Sequence, residues 1–126
     1  MKIILAIAAG GAIGAVSRHI LNNGAALLWG TAFPWGIFIA NILGSFLMGC
    51  LISYFALMND PSHTLKAFLT VGILGAFTTF STFSLDAVSL IEKGAFLSAM
   101  IYILGSVTLA IIGLFAGMSI IRALLT

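Results

Sequence analysis

A run of glycines, hydroxyl side chains and phenylalanines interrupts one of the hydrophobic stretches of this chain. Residues 72–84 read Gly-Ile-Leu-Gly-Ala-Phe-Thr-Thr-Phe-Ser-Thr-Phe-Ser. Gly72 and Gly75 weaken a helix, and the hydroxyls of Thr78 and Thr79 can bond to the main chain and ease a break. A break inside a membrane would free carbonyls that can bind a cation and create a helix N-terminus near Thr79 that can bind an anion. Irregular backbone survives in hydrocarbon only when protein buries it or it lines a wet cavity, so this run predicts an ion site.

Two phenylalanines extend the predicted site. Phe80 and Phe83 are three residues apart and therefore share a helix face. A phenylalanine in a membrane ordinarily packs in the core or against lipid. The alternative is that the positive ring edges contact a small anion without a full charge that would trap it. Hydroxyl donors stand beside the two rings, at Ser81, Thr82 and Ser84.

Polar residues in other hydrophobic stretches are further candidates. Asn41 either makes an interhelical hydrogen bond, typically worth about 0.6 kcal/mol, or lines an ion path as a donor. Tyr102 and Ser106 are one helical turn apart and could extend a polar track. Arg18 either reaches the membrane interface or lies at a pore mouth, where it would concentrate anions.

Acidic residues are too few and too scattered for catalysis. Asp60, Asp86 and Glu92 form no carboxylate pair, and no nucleophile motif, metal-ligand spacing or phosphate-binding loop is present. We therefore predict that the protein is not an enzyme, and the polar groups within hydrophobic stretches favour transport.

The composition of the chain indicates which kind of structure holds these candidate residues in place. Of 126 residues, 62% are hydrophobic and only 6% are charged, whereas soluble domains carry about 25% charged residues. The chain is thus predicted to be an all-α integral membrane protein forming a single four-span domain over residues 1–126, since a spanning helix takes about 20 residues. The few basic residues form no patch for nucleic acid.

The hydrophobic stretches predict the limits of the spans. They cover residues 2–28, 35–58, 63–91 and 95–125, and the third is interrupted around residues 75–79. Residues 59–62 are predicted to form a turn and residues 92–94 a tight connection.

The basic residues show almost no preference for one side of the membrane. With four spans, Lys2, Lys66 and Arg122 fall on one side and Arg18 and Lys93 towards the other. Orientation normally follows a clear excess of Lys and Arg. The balance favours dual topology and an antiparallel homodimer; the alternative is that a single charge decides a one-sided insertion. Because four helices are too few to enclose a pore, we expect an oligomer.

Small residues recur at helix-packing intervals. Ala6, Gly10 and Gly14 are four apart, as are Gly113 and Gly117. Such faces let helix backbones approach closely in lipid. Either they pack helices within one subunit, or the face on the first span forms a subunit interface.

Three stretches of this chain resemble the Fluc family of small bacterial fluoride channels. Residues 10–18 read Gly-Gly-Ala-Ile-Gly-Ala-Val-Ser-Arg, residues 41–46 read Asn-Ile-Leu-Gly-Ser-Phe, and residues 75–83 carry the most specific match. The resemblance implies a multi-pass protein of the bacterial inner membrane, built as an antiparallel homodimer with two fluoride pores. It implies passive, fluoride-selective export of toxic fluoride from the cytoplasm.

The resemblance also implies roles for individual residues. A structural sodium ion at the dimer centre would be held by the main-chain carbonyls of Gly75 and Thr78. Phe80 and Phe83 would line the anion path and Asn41 would be a donor to it. Tyr102 and Ser106 would belong to a polar track and Arg18 to an aqueous vestibule. Ala110 stands where the resemblance leads us to expect another hydroxyl on the fourth span.

Two other classes of protein compete with this interpretation. A proton-coupled exporter of small solutes, like the small multidrug transporters, needs a titratable acid within a span. Through Ala76, the chain has Asp60 as its only acid, in a predicted turn, which argues against this class. A non-transporting membrane subunit would not need a localised polar break beside Asn41.

Overall fold

The computed structural model describes residues 1–58 and 62–126, and every regular element in these ranges is helical. The elements are α1 (Lys2–Trp29), α2 (Trp35–Leu57), α3 (His63–Ala67), a π-helical segment (Phe68–Leu74), α4 (Gly75–Phe77), α5 (Phe80–Glu92) and α6 (Phe96–Leu125).

Four stretches of the described residues are long and apolar enough to cross a membrane. They are Lys2–Trp29, Trp35–Leu57, His63–Glu92 and Phe96–Leu125. The predicted all-α architecture with four spans is confirmed, and the predicted ends lie within one residue of these limits. Of the predicted turn at residues 59–62, Asn59, Asp60 and Pro61 lie outside the described residues.

Glycines at two helix ends set where the chain turns. Gly30 follows α1 with φ 80°, and its N–H donates to the carbonyl of Ala26 at 2.9 Å. Gly94 has φ 78° between α5 and α6, where its N–H donates to the carbonyl of Ile91 at 3.0 Å. Glycine adopts this left-handed conformation at little cost, so the helices end where the glycines stand.

The most extensive helix contact joins α2 to α6, and glycines make it close. A Cβ on Gly49 would overlap the main-chain carbonyl of Leu114, and one on Gly117 would overlap that of Phe46. With only hydrogen at these positions, the two backbones approach to van der Waals contact, which drives helix association in lipid.

Two glycines of α1 make the same kind of contact with the third span. A Cβ on Gly10 would overlap the carbonyl of Phe68, and one on Gly14 would overlap that of Ile73. The small-residue face of the first span therefore packs helices within one chain at these two positions. The π-helical segment is held against α1 by this contact.

A buried cluster lies beneath α5 and α6. Its members are Ile37, Phe83, Ala87, Leu90, Ala99 and Tyr102. Much of the outer surface is apolar, as expected for helices whose solvent is hydrocarbon. The cluster joins α5 along its length to the start of α2 and to the N-terminal half of α6.

Candidate ion pathway

The third span departs from α-helical geometry at two consecutive places. It passes from α3 into the π-helical segment, a wider helix that often marks functional sites, and then through the single turn of α4. Thr78 and Thr79 are extended, with φ and ψ of −84° and 154°, and −153° and 126°. The helix resumes at Phe80. Gly75 itself is helical, with φ −61°, so the extended residues are the threonines and not the glycine.

The threonine hydroxyls satisfy part of the main chain around the extended residues. The Oγ1 of Thr78 donates to the carbonyl of Leu74 at 3.0 Å, and the N–H of Thr78 donates to the same oxygen at 3.0 Å. Thr79 is the N-cap of α5, and its Oγ1 accepts from the N–H of Thr82 at 3.2 Å. A threonine N-cap satisfies one of the free amides at a helix start, and the other first-turn amides remain available.

Asn41 on α2 pairs with the main chain of Thr79. Its Oδ1 accepts from the N–H of Thr79 at 2.8 Å, and its Nδ2 donates to the carbonyl of Thr79 at 3.1 Å. In an unbroken α-helix the same N–H would donate to the carbonyl of Gly75, four residues earlier. The Oδ1 of Asn41 thus replaces the Gly75 carbonyl as the acceptor of the Thr79 N–H. The Gly75 carbonyl is left without its helical donor.

A cavity of about 390 Å³ opens beside the extended residues. Its walls come from α2, the extended residues and the turn before them, the start of α5, and α6. Its lining residues are Asn41, Ser45, Gly75, Thr78, Thr79, Phe80, Phe83, Ser106, Val107, Ala110 and Ile111. The lining offers an amide, hydroxyls, main-chain groups and aromatic rings, and it includes no charged side chain.

The two phenylalanines of the predicted site line this cavity in different ways. Phe80 is 78% exposed, whereas Phe83 is 8% exposed. Their centroids are 5.7 Å apart and their planes are inclined by 41°, so the rings do not stack face to face. Phe80 lies at an open face of the chain, and Phe83 is anchored in the buried cluster.

The predicted hydroxyl donors are distributed unequally. Ser106 lines the cavity, is 5% exposed, and its Oγ has no hydrogen-bond partner within the described residues. Ser84 Oγ donates to the carbonyl of Phe80 at 2.9 Å, and Thr82 Oγ1 accepts from Thr79 Oγ1 at 3.2 Å. Ser81 Oγ lies 3.3 Å from Thr79 Oγ1. These last three hydroxyls bond locally and lie outside the lining.

Two other predicted residues also lie away from the cavity. Tyr102 is fully buried, and its hydroxyl donates to Asp86 Oδ2 at 3.1 Å. Arg18 is half-buried on α1, outside the residues that line the cavity. Their assignment to a polar track and a vestibule stays a prediction.

Sequence reasoning missed two residues of this region. Ser45 lines the cavity, and its position four residues after Asn41 placed it on the same face of α2, which was a usable pattern. Asp86, by contrast, accepts a hydrogen bond on α5 from the Tyr102 hydroxyl on α6. No spacing in the sequence predicts that pair.

The fold and the cavity together define a small multi-pass integral membrane protein with an uncharged polar cavity beside the extended residues Thr78 and Thr79. Residues 5–118 match the family model described as CrcB-like protein, Camphor Resistance (CrcB). The match covers most of the chain, and the chain belongs to this family.

Three similar proteins agree with this membership. A protein of Rhodospirillum centenum is 49% identical over 122 residues, which cover 97% of each chain. One of Rhodopseudomonas palustris is 50% identical over 115 residues, 91% of this chain and 93% of its own. One of Caulobacter vibrioides is 46% identical over 123 residues, 97% of each chain. All three are called fluoride-specific ion channel FluC, and the resemblance to the Fluc family drawn from the sequence is confirmed.

Proposed function

We propose that this chain forms a fluoride-selective channel that lets toxic fluoride leave the cytoplasm passively across the bacterial inner membrane. The observation that carries the proposal is the uncharged lining of the cavity at the interruption. Fluoride is small and strongly hydrated, so loss of its water is the main barrier. Amide, hydroxyl and ring-edge donors can replace that water without the full charge that would hold the ion. The names of the similar proteins support the same ion.

Three residues are the best placed to contact fluoride. Asn41 uses one N–H of Nδ2 for Thr79 and keeps a second donor, since an amide nitrogen carries two hydrogens. Ser106 brings a hydroxyl without a partner among the described residues. Phe83 is fixed in the cluster with part of its ring on the cavity. The free amides at the start of α5 add a positive dipole end nearby.

A proton-coupled exporter is the weaker candidate. Such a protein needs an acid that meets the substrate and exchanges a proton for it. The lining of the cavity contains no Asp or Glu. Asp86 lies within the third span, but its carboxylate accepts from Tyr102 and lines a different cavity.

The working channel is an antiparallel homodimer with two pores. Phe80 is 78% exposed and Ser81 is exposed beside it, next to extended main chain in a predicted membrane span. Polar main chain at membrane depth must be covered by protein. A second copy in the opposite orientation, which the balanced basic residues allow, would cover this face and bring two interruptions together.

A structural sodium ion fits between the two interruptions. Gly75 and Thr78 both line the cavity, and the Gly75 carbonyl is relieved of its helical donor because Asn41 takes the Thr79 N–H. Neutral carbonyl oxygens at an unwound helix are the groups that hold sodium in membrane transporters. An antiparallel copy would supply the same two carbonyls again. The ion would offset their partial negative charge and fix the two chains together.

Efflux from liposomes that contain the purified protein tests the function. We expect fluoride flux driven by voltage, little chloride flux, and no need for a proton gradient. Strict dependence on a proton gradient would favour the exporter, and absence of any flux would favour a non-transporting subunit.

Labelling in cells tests the orientation. Thr31 is exposed in the α1–α2 connection, so Thr31→Cys in a Cys50→Ser background offers one reactive thiol. Dual topology predicts that membrane-impermeant reagent labels part of the population from each side. Labelling from one side alone would contradict the antiparallel dimer.

A further inference from the structure

One carboxylate within the third span is bonded to a buried tyrosine of the fourth. Asp86 on α5 accepts a hydrogen bond at 3.1 Å from the hydroxyl of Tyr102 on α6, and Tyr102 is fully buried. Burying a charged side chain within a membrane span costs free energy, so such side chains are usually paired. The hydrogen-bond partner of Asp86 therefore indicates its role. A hydrogen bond to a carboxylate is stronger than one between neutral groups and fixes the direction of the donor.

The ring of Tyr102 is held between other aromatic rings. Its centroid lies 5.1 Å from that of Phe83, 5.5 Å from that of Phe33 and 6.2 Å from that of Phe38. Phe83 lines the cavity and Tyr102 does not, so Tyr102 supports the Phe83 ring from behind. A displacement of Tyr102 would move the one ring in the cavity wall that is firmly anchored.

Asp86 also belongs to the polar surroundings of the α1–α2 connection. It lines a separate cavity of about 170 Å³ together with Asn22, Gly30 and Trp35. Asp86 and Phe83 are three residues apart on α5 and share a face of that helix. The carboxylate of Asp86 therefore lies between this cavity, which Asn22 also lines, and the Tyr102 hydroxyl, whose position it fixes.

We propose that Asp86 is a positioning residue for the ion pathway, which fixes the ring of Phe83 through the hydroxyl and ring of Tyr102. This proposal rests on the function proposed above. The Tyr102 hydroxyl points to Asp86, so Tyr102 acts on fluoride through the position of Phe83. The carboxylate itself does not contact the ion.

Variants that separate the hydrogen bond from the charge test this role in proteoliposomes. Asp86→Leu removes the acceptor, and Tyr102→Phe removes the donor while keeping the ring. Each is expected to lower fluoride flux about tenfold, as loss of a hydrogen bond to a charged group would. The double variant is expected to lie within about twofold of the lower single variant, because both changes break the same bond. Asp86→Asn keeps an acceptor oxygen and is expected to retain flux within about threefold.

A second readout follows the ring itself. The ¹³C–¹H signal of the Phe83 ring, assigned with Phe83→Leu in detergent-solubilised protein, is expected to shift or broaden in Asp86→Leu and Tyr102→Phe and to stay in place in Asp86→Asn. This readout needs no fluoride conduction, so it tests the positioning role even if the unaltered protein conducts no fluoride. Glu92→Leu is the matched control, because Glu92 is an exposed carboxylate on the same helix.

Three results would overturn the proposal. Unchanged flux in Asp86→Leu would remove Asp86 from the pathway. An equal loss of fluoride flux in Asp86→Asn and Asp86→Leu would show that the negative charge of Asp86, and not its hydrogen bond to Tyr102, is what matters. Reduced flux with an unmoved Phe83 ring signal would mean that Asp86 does not act through that ring.

Discussion

The side chain of Asn41 is bonded to both main-chain groups of Thr79, accepting from its N–H at 2.8 Å and donating to its carbonyl at 3.1 Å. A carboxamide is the one side-chain group of this length that can accept and donate in this way. The pair connects α2 to the point where the third span is extended. It stabilises a main-chain conformation that would otherwise leave the N–H of Thr79 without a partner.

The first prediction concerns this pair. Asn41→Leu leaves the N–H of Thr79 unpaired and removes one donor from its carbonyl, and we expect it to lower the free energy of unfolding by about 2 kcal/mol. Asn41→Asp keeps the acceptor and loses the donor, so we expect a smaller loss of stability and an abolished fluoride flux, because a negative charge faces the anion. Thermal unfolding in detergent and liposome efflux measure the two effects.

Asn23→Leu is the control for Asn41. Asn23 is an asparagine of α1 with an exposed hydrogen bond to His19. It should leave both stability and flux nearly unchanged. Equal stability of Asn41→Leu and the unaltered protein would show that the pair with Thr79 does not hold the interruption.

The four spans could be predicted from the sequence because their causes are local. Long apolar stretches and the turn residues between them set the limits to within one residue of those observed. The unusual character of residues 72–84 was equally visible, since glycine and threonine act on the backbone they belong to. That reasoning located the candidate site on the third span.

The partners of individual side chains could not be predicted in the same way. The contact between Asn41 and Thr79 joins residues 38 positions apart and depends on how α2 is rotated against the third span. The Tyr102 hydroxyl meets Asp86 for the same kind of reason. One-dimensional spacing gives the face of a helix, and the neighbour of that face is decided by packing between helices.

The second prediction uses two glycines of α1 as a matched pair. A Cβ on Gly14 would overlap the carbonyl of Ile73, whereas one on Gly11 would meet nothing within 4 Å. We expect Gly14→Ala to destabilise the protein by about 1–3 kcal/mol through overpacking. We expect Gly11→Ala to be neutral or more stable by about 0.5 kcal/mol, because alanine loses less conformational entropy in a helix. Equal unfolding temperatures for the two variants would contradict the observed contact between α1 and the third span.

The third prediction compares phenylalanines inside and outside the cavity. Phe80→Ile removes a ring edge from the proposed path, and if the edge contact with fluoride is worth about 1 kcal/mol, flux falls roughly fivefold. Phe115→Ile makes the same change at a residue of α6 that is exposed and outside the cavity lining, and it should leave flux unchanged. Efflux rates at equal protein density give the comparison. Unaltered flux in Phe80→Ile would remove this ring from the path.

The last prediction concerns the proposed sodium ion. Replacing sodium with N-methylglucamine throughout purification should lower both the fraction of dimer and the fluoride flux, because the carbonyls of Gly75 and Thr78 would repel one another across the interface.

Gly75→Ala gives an independent test. A Cβ there would have only the carbonyl oxygen of Thr70 within 4 Å, at 3.4 Å, so a single chain can accommodate it. Because Gly75 lines the cavity, the added methyl group would instead obstruct the ion or the second copy. We therefore expect normal helical content, less dimer and a weaker response to sodium, measured by circular dichroism, light scattering and efflux.

Gly24→Ala, where a Cβ has open space, is the control. A dimer that is indifferent to sodium and unaffected by Gly75→Ala would mean that no cation binds at the interruption.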